Sequence, residues 1–306
     1  MKAMLQVLVA LVLGISPAMA QSCDGRLFSH DALAAPVCVP EDPQRIVVLD
    51  PQLSLGMLFE LEAPVLATPQ TGVQDGWIRR MADAGGVLDI GHPLQPSLER
   101  LVALKPDLII GDTAMHGGLQ PALERIAPVV LIAPVNWQEQ FRLLADLTNR
   151  RDRAGALLSD YQERVQAIRA RVPPDQTVSV VRIGPDRFQV YLDGPGAYAP
   201  YAVLAEAGVK RSAYETTGGD EVLKRPGWEE IAALDGDVLL YVVVSGYDPA
   251  PDDALADATL ANPFWQMLPA VAAGRAWRVG RGPWMGFHGV SSAMDVLDDI
   301  ERFILP

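Results

Sequence analysis

Residues 95–112, QPSLERLVALKPDLIIGD, set a helix cap, an amphipathic helix, a stop and a buried strand in one unbroken line. Ser97 can accept from backbone N–H groups of a first turn. Glu99 lies where the positive end of the helix macrodipole favours a carboxylate, and Leu98, Leu101, Val102 and Leu104 recur at helical spacing. Pro106 ends the helix, Asp107 turns the chain, and Leu108-Ile109-Ile110 is a β-prone run apolar on both faces. Strands of that kind need helices above and below them, which commits the chain to a layered α/β fold. Ligands of open parallel sheets bind outside the carboxyl ends of the strands, so the loop 112–118 is the first candidate site.

The unit recurs along the chain. Residues 46–49, 63–67, 87–90 and 129–132 read as further short strands, with helices at 53–61 and 119–126. Residues 136–172 hold one interior glycine, Gly155, and read as mostly helix, with Asn149-Arg150-Arg151 as the expected interruption and Pro173-Pro174 as the end. At about 1.5 Å per residue such a stretch could reach about 50 Å. Strands follow at 178–183, 188–192, 238–244 and 276–279, with helices at 198–207, 228–234, 263–272 and 291–304. The order helix, acidic turn, strand at 228–244 echoes the order at 95–112.

The start of the chain reads as an export signal. Lys2 precedes an apolar core at 5–15, and Ala18-Met19-Ala20 forms a small-residue cleavage site, so residues 1–20 are expected to be removed rather than kept as a membrane anchor. About 286 residues remain, enough for two compact domains. Cys23 and Cys38 are the only cysteines, and in an exported chain they are expected to form a disulfide. Lipidation of Cys23 fits poorly with Ala20-Gln21-Ser22 before it, so a soluble periplasmic protein is expected. The formal charge of -13 becomes -14 without Lys2, and the acidic excess is spread along the chain, which argues against nucleic acid as a partner.

If both halves are α/β lobes, their strand-end loops face one another across a cleft. The candidate ligand-binding residues are Gln52, His92, Asp112, Thr113 and His116 from the first half. From the second half they are Arg182, Arg225, Tyr247, Arg281, Trp284 and His288. Guanidinium forks pair with carboxylates and aromatic faces supply rigid walls, so the set suits a large, oxygen-rich anionic ligand. For Tyr247 and Trp284 the competing reading is packing, because large aromatics are mostly buried. His92, His116 and His288 open a different alternative, direct binding of a divalent metal, although none of them pairs at a metal-motif spacing. No nucleophile elbow, phosphate loop or H-E-x-x-H motif is present, so an exported hydrolase is the least favoured reading, and no cofactor is expected.

Four segments carry a family resemblance: PQRIVVL at 43–49, QPSLERLVALKPDLII at 95–110, RIAPVVLI at 125–132 and PFWQMLPAVAAGRAWRV at 263–279. Together they resemble periplasmic binding proteins for ferric siderophores. The first half is similar to ferric dicitrate binders, and 263–294 to ferric hydroxamate binders. The resemblance implies two Rossmann-like lobes with parallel sheets, joined by one long backbone helix, with an Fe(III)-siderophore in the cleft between them. It divides the chain into a signal at 1–20, a first lobe at 21–135, an interlobe helix at 136–173 and a second lobe at 174–306. It also implies a monomer that hands its cargo to the permease of an ABC transporter.

Glu99, in the S-L-E helix start, and Glu229, in Gly227-Trp228-Glu229-Glu230, match the acidic residues with which the family docks on its permease; Glu230 could replace Glu229. The dipole alone would also favour acids at helix starts. One position departs from the pattern: the family commonly places an arginine two residues after the glycine matching Gly91, where this chain has Pro93. That leaves His92 as a wall residue and Arg182, Arg225 or Arg281 to compensate. Haem and cobalamin are alternative cargoes of the same class.

Overall fold

The computed structural model describes residues 23–73, 75–246 and 248–305; the expected signal segment and Tyr247 lie outside the described residues. Alternate residues of each apolar run face opposite layers. Ile46, Val48, Leu108, Ile110, Val130 and Ile132 pack on one side of the first sheet. Val47, Leu49, Ile109, Val129 and Leu131 pack on the other. Burial on both faces is why these strands show no polar alternation. The first sheet has five parallel strands in the spatial order Leu88–Asp89, Val65–Thr68, Ile46–Val48, Leu108–Asp112, Val129–Ile132. Parallel neighbours need crossovers, and the helices Leu53–Glu60, Gly76–Ala84 and Leu98–Leu104 lie within them. The alternation read from the sequence passes over Gly76–Ala84. Asp75 caps that helix, accepting the N–H groups of Trp77 and Ile78 at 2.9 Å each.

The second sheet runs Leu223–Lys224, Phe188–Tyr191, Thr177–Ile183, Val238–Val243, Ala276–Arg278, with Lys210–Arg211 also paired to Thr177–Ile183. Thr177–Ile183, Val238–Val243 and Ala276–Arg278 are parallel, as expected. On the other flank Phe188–Tyr191 returns antiparallel, because residues 184–187 are too few for a crossover helix and close a hairpin instead. Two expected helices are also shorter than their apolar spacing suggests. Residues 228–234 form a turn and the single 3₁₀ turn Ile231–Ala233, with the Glu230 carboxylate folded back to accept the Gly227 N–H at 3.1 Å. Residues 263–272 split into Pro263–Gln266 and Pro269–Ala272, since Pro269 has no N–H to donate into the preceding turn.

The expected interlobe helix is two helices, Trp137–Leu147 and Arg151–Arg169, separated where Asn149 adopts φ 57°. The interruption falls where the sequence placed it. The longer piece, 19 residues, spans about 28 Å rather than about 50 Å. These two helices and the terminal helix Val290–Phe303 form one continuous core with Val48 and Ile110 of the first sheet and Val178, Val180, Leu240 and Val242 of the second. One face of each sheet is therefore sealed by the same helices.

At the start of the described chain, Arg26–Phe28 and Val37–Val39 form an antiparallel clasp. It is tied by the Cys23–Cys38 disulfide, whose Cα atoms are 5.6 Å apart. Closing a loop of this size stabilises by about 3 kcal/mol in the chain-entropy model. The Ala133 N–H, donating to the Ala32 carbonyl at 2.8 Å, fastens the clasp to the first lobe.

Candidate ligand-binding cleft

Strand-end loops of both sheets line a cleft of about 560 Å³. Gln52, Gly72, Asp75 and Gly76 form one wall, and Arg182, Gly246, Arg281 and Gly286 contribute to the other. Three residues singled out in the sequence, Gln52, Arg182 and Arg281, therefore meet here.

Arg182 is the penultimate residue of Thr177–Ile183, half-buried at the carboxyl end of the strand. Its Nη1 donates to Oε1 of Gln189, its cross-strand neighbour, at 2.9 Å and reaches the Tyr191 hydroxyl at 3.5 Å. Its buried Nε–H has no partner among the described residues. The guanidinium is thus held in place by neutral groups. Arg281 opens the helix Arg281–Met285; its Nη1 donates to Asp252 Oδ2 at 3.2 Å and its Nη2 to the Gly246 carbonyl, fixing the loop after Val238–Val243. Burial works to raise the Asp252 carboxyl, but hydrogen bonds from Ser245 and the Arg281 charge hold it below the usual carboxylate range.

On the facing wall, Asp75 uses Oδ1 for the helix cap, while Oδ2 borders Gly286, where an added Cβ would sit 3.1 Å away. Sequence reasoning missed Asp75 because it sits at a helix start and not at a strand end. The available signal was Asp-Gly immediately ahead of an amphipathic run.

Behind the cleft the two lobes are stitched together. Trp77 stacks on His288 with ring centroids 4.2 Å apart and planes 1° from parallel. Gly56 lies so close that a Cβ there would fall 2.4 Å from that of His288, so only glycine fits without a shift. Glu60 accepts the N–H groups of Val290 and Ser291 at 2.7 and 2.8 Å, capping the terminal helix from the other lobe. Burial raises the Glu60 carboxyl against the pull of those hydrogen bonds, and burial lowers the His288 imidazole against the Asp75 charge.

Several expected ligand residues point elsewhere. Trp284 is 0% exposed and donates its Nε1–H to Asp299 at 2.7 Å, so the packing reading holds for it. His288 is buried under Trp77. His116 is also 0% exposed: its Nδ1 accepts the Asp112 N–H at 3.0 Å, which leaves Nε2 to donate to the Pro93 carbonyl at 3.2 Å. Both ring nitrogens tie the hairpin at 91–96 to the strand Leu108–Asp112 and are unavailable to a ligand. His92 is exposed on that hairpin and accepts the Leu94 N–H at 3.2 Å. Asp112 caps the short helix Thr113–His116. Thr113 faces a groove on the first lobe with Gln120 and Arg125, and Arg225 a groove of about 520 Å³ on the second with Arg187 and Trp228. Among the described residues the three imidazoles do not converge, and no cluster of three His, Cys, Asp or Glu is arranged to hold a metal.

The two expected docking acids are exposed. Glu99 lies in the first turn of Leu98–Leu104, with the Ser97 hydroxyl accepting the Arg100 N–H at 3.3 Å, whereas Glu229 lies in the turn before the 3₁₀ segment.

Residues 46–279 match the periplasmic binding protein family. An achromobactin-binding periplasmic protein of Dickeya dadantii is 30% identical over 280 residues, covering 85% of this chain and 86% of its own. A probable siderophore-binding lipoprotein of Bacillus subtilis is 28% identical over 277 residues, covering 87% and 84%. The crystal structure of Staphylococcus aureus SirA complexed with staphyloferrin B aligns with a TM-score of 0.74 at 18% identity, over 90% of this chain and 97% of that one. At that identity the likeness speaks for the two-lobed fold.

Proposed function

Because the chain belongs to the periplasmic binding protein family, we propose that it is the receptor of an ABC importer, holding a ferric siderophore between its lobes and delivering it to the permease. Members of the family bind cargo for transporters and are not enzymes, so the cleft needs no chemistry. The observation that carries the cargo class is Arg182, a guanidinium in a cleft lined by both lobes that, among the described residues, hydrogen-bonds only to neutral groups. A ferric siderophore wraps its iron in deprotonated oxygens, and an arginine fork recognises such oxyanions without touching the metal. The names of the relatives, siderophore-binding and achromobactin-binding, agree with this class.

The same reading assigns 1–20 as a cleaved signal, 21–135 and 174–306 as the lobes and 136–173 as their joint, in a monomer of the periplasm. Cys23 supports a soluble form over a lipid anchor, because its sulfur is held in the disulfide. Glu99 and Glu229 are the permease contacts in this reading. Glu229 is preferred to its neighbour because the Glu230 carboxylate is engaged with the Gly227 N–H.

Titration of tryptophan fluorescence with ferric hydroxamate, citrate and catecholate complexes, haem, cobalamin and free Fe(III) tests the cargo. Saturable binding of a ferric chelate is expected, and a response to free ions alone would reject it. Reversing both charges, Glu99→Lys with Glu229→Lys, is expected to abolish uptake while leaving affinity unchanged. Intact uptake would remove the docking role.

A further inference from the structure

The cleft holds opposite charges that do not pair with each other. Among the described residues no ion pair joins Asp75 to Arg182, although both line the same space. From this juxtaposition we infer that the cargo is a zwitterionic ferric chelate, with oxyanions toward Arg182 and a protonated amine at Asp75. The inference rests on the ferric-chelate reading above and names a class within it.

Asp75 caps its helix and lends its charge to the His288 imidazole, and neither role gives its Oδ2 a hydrogen-bond donor among the described residues. Oδ1 alone takes both capping hydrogen bonds, from Trp77 and Ile78. A helix cap does not require a charge, since Asn and Ser serve about as well as Asp. The dipole favours a carboxylate at this position, yet it does not dictate that Oδ2 should border the cleft. The residue beside Oδ2 is Gly286, which has no side chain to cover it.

Electrostatic complementarity then limits what can fill the space. A wholly anionic chelate would set an oxyanion against Asp75, and a wholly cationic one would meet Arg182. A ligand carrying both charges, spaced to reach both walls, satisfies each and is favoured over either single-sign competitor. Asp75 is in this sense a specificity-determining residue.

A matched pair of probes tests the claim by calorimetry: the ferric complex of a citrate monoamide bearing a free 2-aminoethyl arm, and the same complex with the arm acetylated. The wild-type protein is expected to prefer the free amine by about tenfold or more, the range of a charge-assisted hydrogen bond. Asp75→Asn retains an oxygen for the cap, so its melting temperature should be nearly unchanged while the preference disappears and ferric citrate binds more tightly. Equal wild-type affinity for the two probes, a measurement that needs no variant, overturns the inference. So does a preference that survives in Asp75→Asn. If neither probe binds while another ferric chelate does, the zwitterion class is wrong and the proposed function stands; if no ferric chelate binds, the proposed function falls with it.

Discussion

Two arginines mark opposite ends of the strand Thr177–Ile183, Arg211 packed against it and Arg182 within it. Toward the amino end, Arg211 is 6% exposed, pairs with Glu215, donates Nε–H to the Val178 carbonyl at 3.2 Å and lies over the Tyr201 ring at 5.2 Å. Glu215, 0% exposed, also accepts the Val180 N–H at 2.7 Å and the Ser212 hydroxyl at 2.8 Å. Toward the carboxyl end, Arg182 contacts an amide and a phenol. Tyr191 serves both, offering its carbonyl to Arg211 and its hydroxyl to Arg182. A guanidinium matched by the chain's own carboxylate belongs to the architecture. One held by neutral groups keeps its charge for whatever enters the cleft.

Removing the charge at either end of the strand has a different expected outcome. Glu215→Ala leaves a buried guanidinium without its counter-charge and should cost about 3–5 kcal/mol of stability in denaturant titration. A loss well under 1 kcal/mol would erase the distinction between the two ends. Arg182→Met keeps much of the apolar stem and removes the charge; affinity for a ferric chelate should fall about 10- to 100-fold with little change in the unfolding midpoint. Lost stability with retained affinity would make Arg182 architectural as well.

A smaller effect concerns His288, on the sealed side. Burial lowers its pKa below the ordinary value of about 6.5, so the unfolded chain binds its proton more readily. Its contribution to stability is complete above pH of about 6.5 and is lost as the pH falls toward the folded value, with a slope of at most about 1.4 kcal/mol per pH unit. Glu60 and Asp75 face the imidazole. The Glu60 carboxyl, raised by burial, acts in the opposite sense: its contribution is present below its unfolded pKa and is lost as the pH rises through the folded value. His288→Phe should flatten the decline in melting temperature between pH 7 and 5 without altering ligand affinity. An unchanged slope would show that other groups set it.

Much of the scaffold was legible because strand and helix periods are local properties. Ser97 caps its helix, Leu108–Asp112 follows as a strand, and the interlobe stretch breaks at Asn149. The antiparallel flank at Phe188–Tyr191 was less so, since it follows from a connection length rather than from the strand itself. The cleft was legible only by half. Sequence located the loops at 112–118 and 281–288, but which way a loop side chain turns depends on what it packs against. His116 turns under Gly111 toward the Pro93 carbonyl, and Trp284 reaches Asp299 on the terminal helix. Asp75 was hidden by the opposite effect, a capping residue whose second oxygen borders the cleft beside Gly286.

Both sheets bury one face in a common core. Val48 and Ile110 share one buried cluster with Val180, Leu240 and the same three helices, so a chain cut near residue 135 would strip part of the cover from one side of the first sheet. The two-lobed outline conceals one continuous core that runs under both sheets. In the proposed receptor, any opening of the cleft would strain this common interior instead of turning one free module against another.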